Sequence, residues 1–163
     1  MLTGPLIRRR KPLNKKNRNM HEVSFEEALD LIRAKDPRYL REAYHFVKEA
    51  LDHTQKNIGR HRRGRKHVTG QELLAGIREY ALAQYGPMTI MLLGEWGIHN
   101  CRDFGEIVFN MVEIGWLAKT EEDSRADFEG GYDFTEAFRT PFLPAGKQTS
   151  VRPAKTAASS SSH

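Results

Sequence analysis

Apolar residues recur every three or four positions along much of this chain, and polar capping residues stand at the head of several such stretches. Ser24 followed by Glu27 has the form of a capping box, and Phe25, Ala28, Leu29 and Ile32 make the apolar stripe of the helix it opens. Asp36-Pro37 ends that helix and starts a second, which Leu40, Ala43, Tyr44, Val47, Ala50 and Leu51 carry to about Asn57, with Gly59 as its expected stop. Thr69 and Glu72 open a third helix that turns Leu73, Leu74, Ile77, Tyr80 and Ala81 inward and ends at Gly86-Pro87. A short apolar helix from Met88 to Glu95 and a turn at Gly97 follow. A fifth helix begins near Asn100, buries Phe104, Ile107, Val108, Met111 and Val112, and stops at Gly115.

Beyond Gly115 the period changes. Trp116-Leu117-Ala118-Lys119 and Tyr132-Asp133-Phe134 flank a polar segment containing Gly130-Gly131, which predicts a loose β-hairpin. The expected fold is therefore mainly α, a small helical domain with a C-terminal β-hairpin. Its element order over 69–134 is that of a winged helix-turn-helix, with the helix at 101–114 as the recognition element and the hairpin as the wing. Many small helical domains share that order.

Charge divides the chain differently. The formal net charge is +5 over 163 residues. Residues 1–20 hold seven basic side chains and no acid, residues 57–67 hold five and residues 139–163 four, again without an acid. The remaining body carries a net charge of −11. Residues 1–20 lack an apolar period and read as a disordered basic arm, 21–143 as one mostly helical domain, and 144–163 as a disordered tail. Met20 offers an alternative start that would remove all seven basic residues of the arm and bring the total to −2.

This partition decides where a polyanion can bind. Duplex DNA carries one negative charge per ~1.7 Å. The expected outer face of the fifth helix shows Arg102 against Asp103, Glu106 and Glu113, and the hairpin is more acidic still. Such a surface suits a protein partner, with Phe109 as its exposed anchor beside Glu106 and Glu113; the other reading of Phe109 buries it under the preceding helices. The connector Arg60-His61-Arg62-Arg63-Gly64-Arg65-Lys66-His67 is the opposite case. Its guanidinium groups can grip phosphates in pairs, so Arg60, Arg62, Arg63, Arg65 and Lys66 are the candidate nucleic-acid contacts. The connector only superficially resembles a phosphate loop, because Arg65 and Lys66 stand where lysine and a hydroxyl residue belong.

Other constellations are weak. His45, Glu49 and His53 lie at i, i+4 and i+8, and the outer pair is ~12 Å apart along a helix, too far to grip one ion. They read as a solvated face. His99 and Cys101 lack a second pair of ligands, and Asp123, Asp127, Glu129 and Asp133 fail calcium-loop spacing. Cys101 at a helix start could carry a lowered thiol pKa, though a buried small residue is the plainer role. No catalytic residue, metal site or cofactor is expected, and no small-molecule substrate is identified. The strongest apolar run, Met88 to Leu93, is far short of the ~20 residues that cross a bilayer, so no membrane association is expected. A lone cysteine fits a reducing compartment, and the expected location is cytoplasmic.

Five stretches carry a resemblance: Ser24-Phe25-Glu26-Glu27-Ala28-Leu29, Lys35-Asp36-Pro37-Arg38-Tyr39, Gly86-Pro87-Met88, Trp96-Gly97-Ile98, and the segment from Lys119 to Arg125 through Tyr132-Asp133-Phe134. Over residues 24 to about 143 the chain resembles a family of small conserved bacterial proteins of planctomycetes and verrucomicrobia with no assigned function. The resemblance implies no activity, cofactor or catalytic residue. The residues themselves favour a non-enzymatic protein that contacts RNA or a ribonucleoprotein through its basic segments. The alternative is a protein-interaction adaptor that needs no nucleic acid.

Overall fold

The computed structural model describes residues 8–9, 23–61 and 67–147. They form a mainly helical body in which six α-helices surround one apolar core. Helix α1 (Phe25–Lys35) opens on the expected capping box: Ser24 Oγ accepts the Glu27 N–H at 3.2 Å, and Glu27 Oε2 accepts the Ser24 N–H at 2.8 Å. Asp36 closes the helix, but helix α2 (Arg41–His61) begins later than Pro37. Asp36 Oδ1 takes the Arg38 N–H, and the Leu40 N–H goes to Trp96 O, so residues 36–40 form a tied corner between the two helices.

Helix α2 also runs straight through Gly59, where a stop was expected. A glycine inside a helix costs only about 1 kcal/mol, and Ile58 beside it packs against the core, which holds the last turn. Helix α3 (Gly70–Tyr85) returns antiparallel to α2: Phe46 meets Tyr85, Glu49 meets Tyr80, and Thr54 faces Gly76. A Cβ on Gly76 would sit 1.8 Å from Thr54 Oγ1, so this close approach requires glycine. Gly86 (φ 51°) and a 3₁₀ turn at Gly86–Met88 lead into helix α4 (Thr89–Glu95). Gly97 (φ 90°) then approaches Arg38 O so closely that a Cβ would lie 2.3 Å from it. Helix α5 (Cys101–Glu113) is capped by Asn100 and Asp103 and buries Phe104, Ile107, Val108 and Met111 as expected.

The C-terminal hairpin does not form among the described residues, and the winged-helix reading falls with it. Strand β2 (Leu117–Ala118) pairs instead with β1 (Arg8–Arg9), antiparallel, with Arg8 opposite Ala118 and Arg9 opposite Leu117. The rest of the arm expected at 1–20 and the tail from 148 lie outside the described residues. What looked like a returning strand is helix α6 (Phe134–Phe138), whose N-cap Asp133 accepts the Glu136 N–H at 3.0 Å. Its buried residues Phe134, Ala137 and Phe138 follow a helical period. Between β2 and α6, a 3₁₀ turn at Arg125–Phe128 drives Phe128 against Gly105. No described helix is long and apolar enough to cross a membrane.

Candidate functional site

The outer face of α5 is a closed charge network. Arg38 forks onto Asp36, with Nε and Nη2 each donating at 2.8 Å, and Nη2 also reaches Glu106 at 3.3 Å. On the other side of Glu106, Arg125 Nε stands 3.3 Å away, and Arg125 Nη2 donates to Glu113 at 3.2 Å. Asn110 donates to Asp36 Oδ2 and to the Tyr44 hydroxyl. The Arg38 guanidinium holds the Asp36 carboxyl well below the usual carboxylate range, with the Asn110 bond adding to it against the cost of burial. Burial in turn pushes the Tyr44 hydroxyl up.

Phe109 takes the buried of its two expected positions. It is 6% exposed, with the Arg125 guanidinium 5.0 Å and the Lys119 ammonium 6.0 Å from its ring centre. It is therefore not an exposed anchor, and Glu106 and Glu113 beside it both have arginine partners within the chain. The structure brings these three residues together, along with Asp36, Arg38, Asn110 and Arg125. Asp36 and Arg38 are two positions apart, but no short-range signal ties them to α5, since Asn110 is 74 positions from Asp36 and Glu106 is 68 from Arg38.

At the connector the arrangement differs. Arg60 and His61 form the exposed end of α2, and neither has an ion-pair partner among the described residues. Arg62, Arg63, Arg65 and Lys66 lie outside the described residues. The chain re-enters at His67, half-buried, and Val68, fully buried. By contrast, Arg38, Arg41, Arg102 and Arg125 on the body all stand in ion pairs.

The remaining constellations are dispersed into structural roles. His45 pairs with Glu26 at 2.8 Å, Glu49 accepts the Tyr80 hydroxyl, and His53 lies 3.5 Å from Glu79. Burial, reinforced by the Glu49 bond, pushes the Tyr80 hydroxyl up to about 12. Cys101 is buried, its thiol pushed up by desolvation rather than lowered by the helix terminus. His99 lines a groove of about 330 Å³ with Ile90, Gly94, Tyr132, Asp133 and Thr135, while Cys101 lines a different, more open one. The acids read against calcium spacing are mostly caps: Asp123 for Thr120, Asp127 for Ser124, and Asp133 for α6. Among the described residues no three His, Cys, Asp or Glu side chains are placed to hold one metal ion. No protein-family model matches the chain, and comparison with curated proteins and with solved structures finds no match either.

Proposed function

We propose that this chain is a non-enzymatic, cytoplasmic binding protein that contacts RNA or a ribonucleoprotein through the basic segment Arg60, Arg62, Arg63, Arg65 and Lys66. One observation carries the reading: Arg60 and His61 end helix α2 exposed and with no carboxylate partner among the described residues, whereas Arg38, Arg41, Arg102 and Arg125 on the acidic body are paired with its own acids. Unspent guanidinium groups are the ones free to take phosphate. The competing role for Arg60 is to complement the negative end of the α2 dipole, and solvent can serve that need equally. The lone, buried Cys101 supports a reducing compartment.

The adaptor alternative loses its proposed anchor, because Phe109 is covered and Glu106 and Glu113 are paired. Titrating a fluorescent single-stranded RNA across a salt series tests the main reading. Replacing Arg60, Arg62, Arg63 and Arg65 by Ala should weaken binding and flatten the slope of log K against log salt by about 3, from roughly 0.7 per phosphate contact on a single strand. Unchanged affinity and slope in that variant would overturn the reading.

A further inference from the structure

We propose that the groove between α4 and the lead into α6 binds a small organic amine, a ligand with one cationic nitrogen on a compact apolar body. The site goes beyond the polyanion reading and shares no residue with it.

The walls are apolar. Ile90 from α4, Ile98 from the turn before α5, and Tyr132 and Phe134 around the start of α6 line a space of about 330 Å³. Ile98 and Phe134 are buried, and Ile90 and Tyr132 are half-buried. The Tyr132 hydroxyl donates to Leu74 O at 2.9 Å, so its polar end is used inside the fold and its ring is left to the groove. Ligand sites span about 300–1,000 Å³, and a space at the small end of that range suits a compact molecule rather than a polymer.

Gly94 keeps the space open. Gly76 and Gly97 are glycines because a Cβ would collide with Thr54 and with Arg38 O, and Gly97 also has a positive φ. Gly94 has neither reason: it lies within α4 without a positive φ, and a Cβ there would meet nothing within 4 Å. Glycine weakens a helix relative to alanine, and no close approach of backbone or side chain offsets that loss here. What the missing side chain provides is room in the groove that Gly94 lines.

Charge selects the class of ligand. Asp133 is the one carboxylate in the lining, and no lysine or arginine stands there. Its Oδ1 accepts the Glu136 N–H at 3.0 Å, and Oδ2 has no hydrogen-bond partner among the described residues. The Thr135 hydroxyl and the His99 ring, also in the lining, lack one too, and each offers a lone pair, the histidine while it is neutral. An ammonium group has donors and no acceptor, so it can use each of these, whereas a carboxylate or phosphate would be repelled by Asp133. The rings of Tyr132 and Phe134, with centres 6.2 Å apart, add to the attraction of a cation.

Amide NMR spectra of the full-length protein, titrated with phenethylamine, test this. The Gly94, Asn100 and Thr135 signals should move and saturate with a dissociation constant on the order of 1 mM, while those of Val47 and Leu51 on α2 stay still. Phenethyl alcohol, with the same ring and no charge, should bind about fivefold more weakly, the worth of one partly exposed ion pair, and hydrocinnamate more weakly still. Asp133→Asn keeps a side chain able to cap α6 and removes the charge, so the fold should hold and the amine should lose its advantage over the alcohol. Gly94→Leu puts a side chain into the open space and should abolish binding of both compounds. Groove signals unmoved at amine concentrations about twentyfold above that constant would overturn the proposal. So would an alcohol or hydrocinnamate that binds as tightly as the amine, or full amine affinity in either folded variant. If Gly94→Leu does not fold, the comparison of amine with alcohol in Asp133→Asn decides.

Discussion

Along the outer face of α5, Glu106 and Glu113 each meet an arginine from another segment, whereas Arg60 and His61 at the end of α2 meet no carboxylate among the described residues. Both surfaces are charged, and the residues alone offer each as a binding site, the α2 end for a polyanion and the α5 face for a protein. Geometry separates the two. Charges that neutralise one another inside the chain hold the chain together, and only charges left over are available to a partner. The α5 face joins three segments distant in sequence, the 36–38 corner, α5 itself and the Arg125 turn, so its groups should matter for stability. Arg60 and His61 at the α2 end make no ion pair among the described residues, so their charges should matter for binding rather than for the fold.

The largest break in this contrast is Asp36→Ala. Asp36 accepts two bonds from the Arg38 guanidinium, one from the Arg38 N–H and one from Asn110, with its side chain 17% exposed. Removing it leaves Arg38 only its longer contact to Glu106 and Asn110 only the Tyr44 hydroxyl, and should cost about 2 kcal/mol, measured by urea unfolding. The same carboxylate predicts a pH dependence. Its folded pKa lies below the unfolded value, so its contribution is full above about pH 4 and fades as pH falls toward the folded pKa. Unfolding curves of the wild type and Asp36→Asn should therefore converge on acidification below pH 4. A gap that stays constant to pH 2 would show that the carboxylate charge carries none of the stability.

The cap at Asp36 and the network around it illustrate what was legible in the sequence. Ser24 with Glu27, Thr69, and Asn100 announce helix starts because a cap and the amide it serves are within three residues of each other. The same signature stands at Ser124 with Asp127 and at Asp133 with Glu136, where the acids and glycines suggest a hairpin and the chain instead forms a 3₁₀ turn and α6. Gly59 suggests a stop by residue type, while the packing of Ile58 that carries the helix past it is a tertiary fact. The covering of Phe109 depends on Arg125, placed by a turn whose existence the hairpin expectation had excluded. Short-range chemistry was readable, and contacts between distant segments were not.

A smaller effect is expected from Arg125→Ala. The guanidinium is half-exposed and joins Glu106, Glu113 and the Phe109 face, contacts worth about 1 kcal/mol together after solvent screening. Arg125→Lys should recover part of that, because an ammonium keeps the charge and loses the fork that reaches two carboxylates at once. High salt should shrink the difference between wild type and Arg125→Ala. A loss that is insensitive to salt would assign the role of Arg125 to packing over Phe109 rather than to charge.

The smallest predicted change is in some respects the sharpest. Arg60→Ala should leave unfolding free energy within about 0.5 kcal/mol of the wild type, because no ion-pair partner among the described residues is left behind and the side chain is exposed. The same variant should lower the salt slope of single-stranded RNA binding by about 0.7, the share of one phosphate contact. The pairing of these two results separates the roles. A stability loss comparable to that of Asp36→Ala, with the salt slope unchanged, would mean that Arg60 serves the fold as Arg38 does. The distinction between spent and unspent arginines would then fail at the residue on which it rests.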